Sequence, residues 1–300
     1  MRLIVSGGTG FIGRALVGDA LKRGDEVFVL TRNPSQVSLP AKAEVRAWDG
    51  STVGPWAEII DANSAIVNLA GEGIADGNWT TERKRRIRES RVDAGLAISQ
   101  AIAQAAAKPR VLVQASAVGY YGPRGPELVT EEQPPGRDFL ANVCVDWEKS
   151  SQGAESQGVR RVIVRTGVVL SRDGGALPRM LLPFRFFAGG PLGSGRQGFP
   201  WIHLADEVGA ILFLIDNPNA SGAFNLAAPE LPTNLEFSRA LGRAMRRPAI
   251  LPTPALALRL IFGEMATVLL DGQRATPARL EGLGYRFRFR QSEAALRAIL

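Results

Sequence analysis

Gly7-Gly8-Thr9-Gly10-Phe11-Ile12-Gly13 is the stretch on which the fold turns. It follows the apolar run Leu3-Ile4-Val5 and opens a segment in which Ile12, Leu16, Val17, Ala20 and Leu21 keep the spacing of a helix stripe packed on a sheet, until Gly24 stops it. Glu26-Val-Phe-Val-Leu30 then reads as a second strand. Strand, helix and strand within about 30 residues make a βαβ unit with parallel strands and a right-handed crossover. In that setting each glycine has its own reason. Gly7 makes the tight turn, Gly10 lets the backbone approach a pyrophosphate, and Gly13 lets helix and strand pack closely. The helix start supplies N–H groups to the phosphates, so Thr9, Phe11 and Ile12 join the expected contacts.

Working outward, the alternation continues through strands at Glu44–Trp48, Ser64–Leu69, Arg110–Gln114 and Arg161–Arg165, with helices containing Arg91–Ala107 and around Phe139–Gln157. The expected fold class is α/β, a Rossmann-type doubly wound parallel sheet with a smaller, mainly helical C-terminal substrate lobe. Residues 1–170 form the dinucleotide-binding domain, to which 205–226 return as a helix and a strand. Residues 171–204 and 227–300 form the interleaved lobe, with helices at Asn234–Met245 and Pro254–Leu270, the latter read as buried. The glycines at 189, 190, 193 and 195 suggest a mobile cover over a substrate pocket.

The second strand ends in Leu30-Thr31-Arg32, with no carboxylate to hold the adenosine ribose hydroxyls. A guanidinium offers a 2′-phosphate a charge-assisted fork where a carboxylate would repel it, so Thr31 and Arg32 predict NADP(H) as the cofactor. Asp49, past the third strand, is placed to accept from the adenine amino group. Leu69-Ala70-Gly71, past the fourth, are small enough to pass under the cofactor.

Composition excludes several classes. The formal charge of +7 and the run Glu82 to Arg91 invite a nucleic-acid reading, but the run lacks interleaved aromatics and continues as an apolar stripe, so it reads as a solvated helix face. The apolar stretch from Pro254 to Leu270 is interrupted by Arg259 and Glu264 and falls short of the roughly 20 residues of a bilayer span. Cys144 is the only cysteine and His203 the only histidine, too few for a disulfide or a metal cluster. With an apolar start that is a strand rather than a leader, the expectation is a cytoplasmic protein. It is expected to act on a small molecule as a monomer or homodimer, with neither nucleic acid nor membrane as partner.

The chain resembles the extended or atypical short-chain dehydrogenase/reductase superfamily, and within it the "epimerase family" proteins labelled NAD-dependent epimerase/dehydratase. The resemblance runs over nearly the whole chain. It rests on the glycine turn and on Asn68-Leu-Ala-Gly-Glu72, Ser90-Arg91-Val92, Ser116-Ala-Val-Gly-Tyr-Tyr-Gly122, Trp147-Glu148, Arg165-Thr-Gly-Val-Val-Leu170, Pro191-Leu-Gly-Ser-Gly195 and Trp201-Ile-His-Leu-Ala-Asp206. It implies an NAD(P)-binding sheet with a small substrate lobe, and places Arg91 where related enzymes keep an Asn near the cofactor. The usual Ser-Tyr-Lys triad is missing. Counting back from Tyr121 reaches Ala117, with Ser116 one position off, and anchoring on Glu148 puts Leu140 and Cys144 where the Tyr and Lys belong.

A phenol works as acid or base near neutral pH only with a cation beside it, so the missing Tyr-Lys pair argues against ordinary ketone reduction or sugar epimerisation. Ser116, Tyr120 and Tyr121 are the candidate catalytic hydroxyls, and Ser116 also a cofactor contact. Glu72, Lys84, Trp201 and His203 are the candidate substrate-pocket residues. Two readings stay open: an NADP(H)-dependent oxidoreductase or epimerase-like enzyme with a non-standard proton donor, and an NADP(H)-binding sensor or structural protein without turnover.

Overall fold

A computed structural model describes residues 1–300 except Ser38 and Ala41. Its main sheet has seven parallel strands in the order β11-β7-β5-β4-β1-β2-β3. They are β1 (Arg2–Ser6), β2 (Glu26–Thr31), β3 (Ala43–Ala47), β4 (Ser64–Asn68), β5 (Val111–Ala117), β7 (Arg160–Thr166) and β11 (Gly222–Leu226). Both faces are covered, and so the strands are apolar almost throughout. Side chains alternate between two cores. Leu3, Val5, Val27 and Val29 face α1 (Phe11–Arg23) and α5 (Leu204–Asp216), and Ile4, Phe28 and Leu30 face α2 (Thr81–Gln104). Alongside α2 packs α3 (Phe139–Ser150).

Strand positions agree with the sequence reading to within a few residues. The helix starts agree less well. Capped by the Thr80 side chain, α2 begins at Thr81, ten residues before Arg91, and it includes the whole basic run. That run is the solvated face expected of it, with Arg85 paired to Glu82 and Glu89, and Arg88 to Asp146.

After β7 the chain turns through Gly167, where a Cβ would lie 2.8 Å from the Pro200 carbonyl oxygen, into a second sheet in the order β10-β8-β9. Its strands are β8 (Val168–Ser171), β9 (Gly174–Gly175) and β10 (Trp201–His203). On it lie α4 (Leu177–Arg185), α6 (Asn234–Met245) and α10 (Ser292–Ile299), with a core of Leu170, Leu181, Phe184, Trp201, Phe237 and Leu296. Helix α4 forms although Pro178 and Pro183 lie within it. The buried Leu177, Leu181 and Phe184 nonetheless keep helical spacing, and Pro178 stands in the first turn, where no N–H is needed.

Part of the 227–300 segment comes back to the main sheet. Strand β12 (Arg274–Ala275) pairs with β6 (Leu128–Val129), while Leu280 of α9 (Ala278–Gly282) and Phe287 enter the core under α1 and α5.

Two expectations are corrected. The segment Pro254–Leu270 is no single buried helix: it divides into α7 (Ala255–Phe262), a short 3-10 turn and α8 (Thr267–Leu270). Leu258 and Ala266 are buried, but Leu256, Leu260 and Ile261 face outward at 63 to 78% exposure. The apolar residues are distributed around the helix, and the lobe beneath has room for one face only. The Gly189–Gly195 segment is pinned rather than loose. Leu251 N–H donates to Gly189 O, Thr253 N–H to Pro191 O and Leu235 N–H to Gly195 O. Gly190 lies so close to Leu251 that a Cβ would fall 2.1 Å from its carbonyl oxygen, so the glycines serve close packing.

Candidate functional site

The strand order reverses between β1 and β4, and the crevice beyond their carboxyl ends is where open α/β sheets take their ligands. From β1 comes the glycine turn, tightly closed: Gly7 has φ +71°, and a Cβ there would sit 2.6 Å from Leu69 O. A Cβ on Gly13 would lie 2.2 Å from Gly7 O. Gly10 is the N-cap of α1, and no side chain caps that helix, so the first-turn amides of Phe11 and Ile12 are left for a ligand anion. The Phe11 ring itself lies against Gly174 and Gly175 of β9, where added Cβ atoms would fall within 3 Å of it. Thr9 contributes backbone, its carbonyl accepting from Arg14 Nε at 2.7 Å. Arg14 puts an exposed cation at this turn that the sequence reading passed over.

A buried polar chain underlies the crevice floor. Ser6 Oγ donates to Asn68 Oδ1 at 2.6 Å, Asn68 Nδ2 donates to Gln114 Oε1 at 3.0 Å, and Ala70 N–H donates to Asn68 Oδ1. This chain fixes the turn Leu69-Ala70-Gly71 below the site. Polar residues inside strands that are otherwise apolar were its signal in the sequence. At the end of β2, Thr31 Oγ1 accepts from Asn33 N–H, and Arg32 is exposed with no hydrogen-bond or ion-pair partner among the described residues. The donors and the glycine cradle fit a dinucleotide phosphate chain, and Arg32 fits an additional phosphate on its ribose. Asp49 stands just past β3, where the sequence put it. Its carboxylate accepts from the Thr52 hydroxyl and from the Ser51 and Thr52 amides, which hold it down to about 2, so most of its acceptor capacity serves its own turn.

Arg91 lies on Gly71, where a Cβ would be 3.1 Å from its Cζ, and its guanidinium sits 4.9 Å from the Trp147 ring centroid. Among the described residues only Nη1 has an acceptor, the Ile87 carbonyl, and burial works against its charge, pulling its pKa down. The buried Cys144 thiol is pushed up to about 12, chiefly by burial and next by Glu148, so it carries no thiolate.

The three candidate hydroxyls part ways. Ser116 is buried and donates to Glu148 Oε1 at 2.7 Å. Tyr121 is fully buried, donates to Asn225 Oδ1 at 2.6 Å and accepts from Arg165 Nη1, and burial raises its pKa. Both are fixed to one ion pair: Arg165 forks onto Glu148 through Nε and Nη2 at 2.8 and 2.9 Å. Burial opposes the charge on Arg165, but the Glu148 fork outweighs it and raises its pKa. Sequence reasoning missed this pair, although both residues lie in quoted motifs. Tyr120 is only half-buried. Its ring lies over Arg165 with Cζ 3.4 Å from the centroid, and its hydroxyl has no partner among the described residues.

The pocket candidates are also redistributed. Glu72 pairs with Arg83 and lies 3.6 Å from Arg86, and Lys84 pairs with Glu264 across to the second lobe while standing 5.0 Å over the Phe139 ring. Trp201 is no pocket wall: it is fully buried in the lobe core. His203 caps α5, its Nδ1 accepting from Ala205 N–H, and stacks on Phe289 at 4.1 Å; burial lowers its pKa, keeping the acceptor nitrogen available. Behind it, Glu207 is fully buried with one oxygen accepting from Thr166 Oγ1 and the other without a partner among the described residues, and burial pushes it up to about 8. No three His, Cys, Asp or Glu side chains gather as a metal site among the described residues, and no helix there is long and apolar enough to cross a membrane.

Comparison with known proteins bears on this geometry. The chain is 41% identical to the chloroplastic SDR39U1 homolog of Arabidopsis thaliana, an epimerase family protein, over 100% of this chain and 87% of that one. It is 37% identical to the Mus musculus epimerase family protein SDR39U1 over the full length of both. The crystal structure of human epimerase family protein SDR39U1 (isoform 2) with NADPH superposes with a TM-score of 0.89 at 35% identity, covering 100% of this chain and 99% of that one. Residues 253–299 match a domain of unknown function, DUF1731. Residues 3–227 match the model of the NAD dependent epimerase/dehydratase family, and to that family the chain belongs.

Proposed function

We propose that the protein is an NADP(H)-dependent oxidoreductase or epimerase-like enzyme acting on a small polar substrate, with Tyr120 as its proton-carrying group. The observation that carries the cofactor choice is Arg32, exposed and unpaired among the described residues at the end of β2, where no carboxylate stands. The NADPH in the human relative's structure supports it. A bound nicotinamide would supply or take up a hydride. The chain's own part is to bind and orient: first-turn amides of α1 on the pyrophosphate, Arg32 on the ribose phosphate, and the Leu69–Gly71 turn as a close floor.

Calorimetric titration is expected to give NADPH at least a tenfold tighter Kd than NADH, about 1.4 kcal/mol. Arg32→Ala should remove that preference by weakening NADPH alone, and equal affinities in the wild type would overturn the assignment.

The proton assignment is supported by elimination within the site: Ser116 and Tyr121 are committed to Glu148 and Asn225, leaving the Tyr120 hydroxyl available over a fixed guanidinium. With NADPH and a panel of carbonyl substrates, Tyr120→Phe should lower kcat by about 10²-fold while NADPH affinity holds. A joint loss of affinity and turnover would make Tyr120 a packing residue. The binding-only alternative draws on Cys144, an inert thiol where the resemblance puts a lysine. Absence of NADPH oxidation with carbonyls, sugar nucleotides and quinones alike would favour it.

A further inference from the structure

The second lobe turns outward an apolar face that none of the described residues covers. Phe186 and Phe187 follow α4, Ile250 and Leu251 lead into α7, and Leu256 and Leu260 stand one turn apart on it, all at 52 to 78% exposure. These segments lie side by side. Leu251 N–H donates to Gly189 O, Leu192 bridges to Thr253, and a Cβ on Gly193 would lie 3.6 Å from the Ala255 Cβ. Large apolar patches on a monomer mark a contact surface.

The rim says what the contact is. Some arginines elsewhere are matched, Arg2 with Glu26 and Asp61, Arg85 with Glu82 and Glu89, and Arg165 with Glu148, while others, such as Arg32, stand singly among the described residues. On this side Arg185, Arg239, Arg246, Arg247 and Arg259 have no carboxylate within 4 Å among the described residues. Arg247 covers the Phe187 ring at 4.4 Å. Arg239, Arg243, Arg246 and Arg247 wall an open cavity of about 380 Å³ together with Ile250. Of the nearby acids, Glu264 is engaged by Lys84 and Glu293 by Arg243 and Arg297, while Asp271 and Glu236 act on Arg259 and Arg239 only from beyond ion-pair distance.

We propose that this face, with Phe186, Phe187, Leu256 and Leu260 beside the unpaired Arg246 and Arg247, seats the protein on a bilayer surface rich in anionic phospholipid. Apolar side chains that enter the acyl boundary and guanidinium groups that stay among phosphates are the two signals stable peripheral binding needs. A second copy is a poor occupant, because two such rims would set cation against cation. A folded acidic protein would need a matching groove, whereas the arginine-walled cavity is open to a headgroup phosphate. The length argument that excludes a membrane span does not touch a lobe lying on the surface.

The test is co-sedimentation of the full chain with vesicles of phosphatidylcholine, alone or with about one third phosphatidylglycerol. At about 0.1 M salt, partition onto the anionic vesicles should exceed that onto neutral ones at least tenfold. Arg246→Gln with Arg247→Gln, and separately Leu256→Ser with Leu260→Ser, should each remove most of that difference, with unchanged thermal melting reporting an intact fold. Equal partition onto both vesicle types overturns the proposal, as does binding indifferent to the leucine pair, which is bare charge adhesion. Retention on polyglutamate as strong as on the vesicles gives the face to an acidic protein and also overturns it. So does a dimer in sedimentation analysis that the leucine variant dissolves.

Discussion

Gly10→Val is expected to abolish dinucleotide binding, by about 100-fold or more, equivalent to about 2.7 kcal/mol, while the fold stays in place. Gly10 sits in extended backbone (φ −78°, ψ 179°), a conformation valine adopts freely, and the atom nearest an added Cβ is Gly7 O at 3.2 Å. The free protein can therefore hold the side chain, but its branches project at the start of α1, where the pyrophosphate must come up to the backbone. Gly13→Ala is the instructive contrast. Its Cβ would meet Gly7 O at 2.2 Å and Gly8 Cα at 2.7 Å, both backbone atoms, so the fold itself should suffer. Circular dichroism beside calorimetry separates the two cases. Binding that survives Gly10→Val would mean that the phosphates lie elsewhere.

Arg165→Met should cost about 3 to 5 kcal/mol of stability, the usual consequence of leaving a buried charge without its partner. Glu148 would keep only the Ser116 hydroxyl, Tyr121 would lose one of its two hydrogen bonds, and Tyr120 would lose the guanidinium beneath its ring. Urea denaturation measures the loss. Removing both charges, with Arg165→Met and Glu148→Leu together, should recover a good part of it, since apolar residues of similar volume replace a buried pair at little net cost. A single-variant cost under about 1 kcal/mol would show that water reaches the pair and that it does not organise the site.

The glycine turn, the strands and the βαβ alternation were legible because they are local: a spacing, a period and a turn residue determine each of them. So was the missing carboxylate at Arg32. Other features depend on partners distant in sequence. Ser116 is one candidate hydroxyl among three in the sequence, and only the fold shows its hydrogen bond going to Glu148, 32 residues on. Tyr121 is committed by Asn225, 104 residues away. Trp201 and His203 lie in a motif that resembles a pocket wall, yet one fills a core and the other caps a helix. Leu256 and Leu260 read as buried from composition, yet apolar composition leads to burial only where something lies opposite to receive it. The polar floor of Ser6, Asn68 and Gln114 was readable in principle, as three polar residues near the ends of apolar strands.

Glu207 gives the molecule an unusual proton inventory. An ordinary glutamate has released its proton well below neutrality, but this one, fully enclosed with one oxygen unpartnered among the described residues, holds it until about pH 8. Unfolding near pH 7 therefore liberates a proton here, and by linkage the native state weakens as alkalinity rises. The stability tied to this group is complete below the unfolded value near 4.5 and is lost as pH climbs through about 8. A melting temperature that falls across that window in the wild type, and falls less in Glu207→Gln, is the expected record; parallel curves would mean the carboxyl is ionised in the folded chain. The helix that lines the core beside the cofactor sheet is thus held, at its first turn, by an acid that stays neutral.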